Sequence, residues 1–124
     1  MSQDNIADAL NKMLNASRAG KGSIQVVKHS KLLLSVLALA KLKGYVKNYR
    51  VENTILNIEI DKLNKCQAIK PRFAVNVGEI EKYVKRYLPA RDIGIIIIST
   101  SQGLMTHLTA QEKNLGGSLV AYFY

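Results

Sequence analysis

Four consecutive isoleucines, Ile95–Ile98, stand between Gly94 and the run Ser99-Thr100-Ser101-Gln102-Gly103. β-Branched side chains lose rotamer freedom in a helix and pack well on a pleated surface. Four in a row with no polar alternation are therefore expected as a strand buried on both faces. A buried strand is a rigid support for whatever follows it. Here three hydroxyl side chains, an amide and a glycine follow. Such a cluster suits a nucleophile site, a phosphate cradle or a surface that reads a nucleic-acid backbone.

The flanking sequence indicates what this strand belongs to. Residues 3–16 carry Ile6, Leu10, Met13 and Leu14 at helical spacing, with Ser2 or Asp4 as the cap. A basic, glycine-bearing loop at 17–23 leads to a short strand over Ile24–Val27. Ser30 is placed to cap a second helix through Leu33, Val36, Leu37 and Ala40, closed by Gly44. Leu32, Leu34, Leu39 and Leu42 widen its apolar stripe, so a sheet is expected to cover it. Strands over Tyr45–Val51 and Thr54–Ile60, separated by Glu52-Asn53, read as an antiparallel hairpin.

Composition shifts near Asp61-Lys62-Leu63-Asn64. Lys65–Val77 reads as irregular or extended, and Glu79–Leu88 as a short helix ended by Pro89. After the isoleucine strand, Thr109 and Thr106 are rival caps for another short helix, and Ser118–Tyr124 is a final strand. The expected fold is α+β in two small lobes. Residues 1–61 form a basic helix–strand–helix–strand–strand lobe, and residues 62–124 a mostly β lobe with short helices.

Charge separates the two parts further. The chain has 18 Lys and Arg against 9 Asp and Glu, a formal +9. Between Asp8 and Glu52 there are nine cations and no carboxylate, whereas after Asp92 only Glu112 and Lys113 are charged. An unpaired basic half attracts polyanions at long range. No apolar span reaches the roughly 20 residues of a membrane helix, and the start of the chain lacks a secretory pattern. The single Cys66 has no internal disulfide partner and is expected as a packing residue in a reducing setting.

Catalysis finds little support. A serine nucleophile needs a base in reach and a group to orient it. Ser101 lacks the preceding glycine of a nucleophile elbow. The only imidazoles are His29 and His107, and His107 is expected at the surface or in a supporting position behind it, not as a base. Cys66, His29 and His107 do not have metal-ligand spacing, so no metal is expected. Gly20-Lys21-Gly22-Ser23 lacks the spacer of a phosphate-binding loop and reads better as a flexible phosphate contact. RNA binding accounts for more of the chain: cations supply affinity, while short polar groups and backbone amides meet ribose hydroxyls and irregular base edges. Taken alone, Ser99-Thr100-Ser101 are equally well explained as hydroxyls that cap a turn.

The run Ser99 to His107, the later Gly116-Gly117 and the Ala121-Tyr122-Phe123-Tyr124 end resemble the eighth protein of the small ribosomal subunit. Ile6-Ala7-Asp8-Ala9-Leu10-Asn11, Ser30-Lys31-Leu32 and Asn64 to Phe73 resemble the same family, the last in its archaeal and eukaryotic branch. Asn5 stands where that family often has proline, and the loop between the hairpin strands is short.

The resemblance implies a two-lobed α+β protein that binds the central domain of small-subunit ribosomal RNA early in assembly, beside neighbouring ribosomal proteins. It implies RNA contacts from Ser99, Thr100, Ser101 and Gln102, with close backbone approach at Gly103, Gly116 and Gly117. In the first lobe it implies Asn15, Ser17, Arg18, Lys28, Ser30 and Lys31. The expected protein is non-catalytic, cytoplasmic and ribosomal, with no cofactor, membrane partner or small-molecule substrate. The rivals are a translational repressor or general nucleic-acid-binding protein, and a serine hydrolase.

Overall fold

The computed structural model describes residues 5–27, 30–69, 72–90 and 92–124. The expected caps Ser2 and Asp4, together with Lys28 and His29, lie outside them. The chain divides into two compact units, 1–67 and 68–124.

In the first unit, α1 (Asn5–Arg18) buries Ile6, Leu10, Met13 and Leu14, the stripe that its spacing requires. β1 (Ser23–Val26), β2 (Val46–Glu52) and β3 (Ile55–Ile60) form an antiparallel sheet in the order β1-β3-β2. The central β3 buries Leu56 and Ile58 and exposes Glu59 between β1 and β2. The β2–β3 turn falls on Asn53-Thr54, one residue later than the sequence spacing predicts. Asn53 takes φ 58 there, a left-handed conformation that asparagine tolerates better than most residues.

Between β1 and β2 runs α2 (Lys31–Leu42), with Leu33, Val36, Leu37 and Ala40 buried. Ser30 caps it, its hydroxyl accepting from the Leu33 N–H at 3.2 Å. Leu42 is 76% exposed and does not extend the apolar stripe, because it sits at the last turn just before the chain reverses at Gly44. The unit extends to Gln67 because later residues hold on to α1: Ser17 Oγ donates to the Leu63 carbonyl at 2.8 Å, and Cys66 Sγ to the Leu10 carbonyl at 3.3 Å.

The second unit is built around β6 (Ile95–Thr100), flanked by β7 (Gly103–Thr106) and β8 (Gly117–Phe123). All four isoleucines are at most 3% exposed. Ile96 and Ile98 join Leu119, Tyr122 and Met105 in a core with Ile80, Val84 and Leu88. Ile80 and Val84 come from α3 (Ile80–Tyr87), which follows a 3-10 turn over Val77–Glu79. The segment expected to be irregular or extended holds two short strands, β4 (Cys66–Ala68) and β5 (Ala74–Val75), both on β8. α4 (His107–Glu112) is capped by Thr106, whose hydroxyl accepts from the Thr109 N–H at 3.3 Å; this decides between the two candidate caps.

Candidate nucleic-acid interface

β6 and β7 pair antiparallel from Ile97↔Thr106 to Thr100↔Gly103, which leaves Ser101-Gln102 as a two-residue tip. Ser99 and Thr100 are thus strand residues, not a loop. Side chains alternate along a strand, so they face opposite sides of the sheet. Thr100 is occupied by the turn itself: its Oγ1 donates to the Gly103 carbonyl at 2.8 Å and accepts from the Gln102 N–H at 3.1 Å. Gly103, at φ +109, supplies the backbone conformation that completes the reversal.

Ser101 and Gln102 are exposed, and their side chains make no hydrogen bond to a described residue. Ser99 is half-buried and sits directly opposite Ser118 of β8. Cross-strand partners share a face, so Ser118 belongs with Ser99. Sequence reading did not select Ser118. Only the β6–β8 register brings it to this surface.

The hairpin base is held by β8. A Cβ on Gly117 would collide with the Ser99 carbonyl oxygen, and one on Gly116 would lie 2.6 Å from the Val75 carbonyl oxygen. Glycine at both positions is thus required by the protein's own strand packing, whatever binds outside.

Among the described residues, the hydroxyls have no imidazole to work with. His107 is 2% exposed, and its Nδ1 accepts from the Ile96 N–H at 3.1 Å, which places its proton on Nε2. It is a buried strand-to-helix tie, so of the two expected placements it takes the supporting one and not the surface one. Ile96 lies five residues along the strand from Ser101, about 16 Å at the usual rise of about 3.3 Å per residue. Cys66 is buried as expected, and burial pushes its thiol from 9.0 up to about 12. Among the described residues, no three His, Cys, Asp or Glu side chains gather as a metal site, and no helix is long and apolar enough to cross a membrane.

In the first unit, Lys12, Asn15, Lys21, Ser23 and Gln25 line an open groove of about 500 Å³ between α1 and β1. Arg18 ends α1 and Lys31 opens α2, both exposed. The hydroxyls of Ser17 and Ser30 are committed inside the unit, to the Leu63 carbonyl and to the helix cap. Lys28 falls outside the described residues.

A polar hairpin mounted on a buried strand in one unit, and a cationic groove in the other, mark a basic α+β protein. Comparison with known proteins makes this specific. The sequence profile of ribosomal protein S8 matches residues 4–124. The small ribosomal subunit protein uS8 of Nanoarchaeum equitans (strain Kin4-M) is 42% identical over 129 residues, covering 100% of both chains. The chain belongs to the ribosomal protein S8 family, whose members are structural components of the small subunit and not an enzyme family; RNA binding and translation follow from that membership.

Proposed function

We propose that the chain is a non-catalytic primary binder of the central domain of small-subunit ribosomal RNA, supporting the folding and assembly of that domain. It works in the cytoplasm, within the ribosome, beside other small-subunit proteins. The observation that carries this reading is the hairpin tip, where Ser101 and Gln102 hold uncommitted polar groups on a support fixed by a fully buried strand. Preorganised donors and acceptors bind without first paying for their own ordering. Ser99 and Ser118 extend the polar row, and Gly103, Gly116 and Gly117 keep the backbone low beside it.

The first unit adds charge. Its cations around Lys12, Arg18, Lys21 and Lys31 steer the protein to RNA and neutralise phosphates, with Asn15 beside them in the groove. Lys28 belongs to the same proposed set, and Ser17 and Ser30 shape that surface more than they touch RNA through their hydroxyls.

Ser101→Ala tests the reading. Cognate ribosomal RNA binding should weaken by about 1–3 kcal/mol, the cost of leaving a polar partner unpaired, while unrelated duplex RNA is bound as before. Equal loss on both RNAs would refute a recognition role for the tip.

A further inference from the structure

The solvent side of α3 has no part in the reading above, yet it is organised. Lys82, Lys85 and Arg86 are exposed and spaced i, i+3, i+4, so they form one stripe about one helical turn long. Residues 68–124 contain seven Lys and Arg, and three of them stand on this stripe.

The local carboxylates are directed elsewhere. Glu79 Oε1 accepts from the Asn76 N–H at 3.1 Å, and Glu81 Oε1 accepts from Gln111 Nε2 at 3.2 Å. Among the described residues, none of the three cations is in an ion pair; that of the described chain joins Arg50 to Glu52.

Rings lie beside two of the three cations, Lys82 and Arg86. Phe73, Tyr83, Tyr87, Tyr122 and Tyr124 stack in sequence, with centroids 5.1–6.4 Å apart and interplanar angles of 14–28°. The Arg86 guanidinium lies 5.7 Å from the Phe73 centroid and 5.4 Å from that of Tyr87, and Lys82 Nζ lies 5.6 Å from Tyr83. A ring surface orients an arginine without neutralising it. The exposed Arg86 fork of N–H donors then has less freedom to lose on binding an oxyanion.

We propose that Lys82 and Arg86, seated on the Phe73–Tyr83–Tyr87 ring stack, and the exposed Lys85 between them form a second RNA contact that grips the phosphodiester backbone. This rests on the reading of the chain as a ribosomal RNA binder and adds a contact separate from the hydroxyl hairpin. Unneutralised cations at one-turn spacing among aromatic rings match what a nucleic-acid backbone requires. The stripe neutralises phosphates and is indifferent to sequence, while the hairpin discriminates.

The test is the salt dependence of binding for the full chain carrying Lys82→Gln, Lys85→Gln and Arg86→Gln together. The probe is a central-domain fragment of small-subunit ribosomal RNA, with unrelated duplex RNA as the comparison. Three lost phosphate contacts should reduce the slope of log affinity against log salt by about 2–3. The preference for the cognate fragment should remain, which also reports that the variant is folded. Arg86→Lys should keep the slope but lower affinity several-fold, because the flat fork is lost. An unchanged slope with cognate preference intact overturns the stripe and leaves the ribosomal reading standing. A reduced slope in a protein that never preferred the cognate fragment upholds the stripe and removes that reading. In assembled subunits, zero-length coupling of Lys82 or Lys85 to a protein carboxylate would assign the stripe to an acidic protein and overturn the proposal.

Discussion

Thr100→Val isolates what the turn-locking hydroxyl contributes. Valine has nearly the same shape and the same β-branching, so strand preference and packing are preserved. The substitution removes the bond donated to the Gly103 carbonyl at 2.8 Å and the one accepted from the Gln102 N–H at 3.1 Å. Each is worth about 0.5–1.5 kcal/mol net, and at an exposed turn water replaces part of that. The expected loss is about 1–2 kcal/mol, concentrated at the hairpin, which raises the fraction of open turn roughly 5–30-fold. Amide exchange reads this directly: Gln102 should lose protection while the Ile95–Ile98 amides keep theirs. Cognate RNA affinity should fall by no more than the same factor, at an unchanged salt slope, because no phosphate contact is removed. Thr100→Ser, which keeps the oxygen, should restore most of the protection. If Gln102 exchanges at the same rate in the valine variant, the hydroxyl does not order the turn and the argument for a preorganised tip fails.

His107→Leu replaces the imidazole with a side chain of similar size and leaves the buried Ile96 N–H without its acceptor. Stability in urea should drop by about 1–3 kcal/mol while RNA binding by the folded fraction stays the same; a variant as stable as the parent would show that the bond contributes nothing net. For Cys66 the sign follows from burial, which raises the folded thiol from 9.0 to about 12. The unfolded chain releases this proton first, so the thiol's contribution is intact below pH 9.0 and is lost as pH rises toward about 12. Cys66→Ala should therefore lose less stability than the parent across that window, and equal losses in the two proteins would contradict the assignment.

Where local pattern was strong, the fold could be read in advance. The stripe of α1, the Ser30 cap of α2, the β2–β3 hairpin and the isoleucine strand each carry their signal within one segment. β7 does not: Gly103-Leu104-Met105-Thr106 becomes a strand because β6 offers it an edge in register. β4 and β5, three and two residues long, exist only as pairings along β8. His107 shows the same limit for a side chain. Its residue type left a surface and a supporting position both open; a buried N–H at Ile96 needed an acceptor, and that need arises only once β6 and the start of α4 are side by side.

The site was legible as a cluster but not as a division of labour. Read by residue type, Ser99, Thr100 and Ser101 are three equivalent hydroxyls, and turn capping competes with RNA contact for all of them. The strand's twofold alternation separates them, because Thr100 points away from the side of Ser99 and is bonded to the turn, which leaves Ser101 exposed at the tip. The two readings of the cluster therefore separate by position: capping describes Thr100, and the proposed recognition surface is left to the exposed Ser101 and Gln102. The glycines divide in a similar way. Gly103 is needed for its left-handed backbone, whereas Gly116 and Gly117 are needed because carbonyls of Val75 and Ser99 occupy the space a side chain would take. A residue near the hairpin can thus be indispensable without touching RNA, and only substitutions that leave these internal contacts alone, such as Ser101→Ala, report on recognition itself.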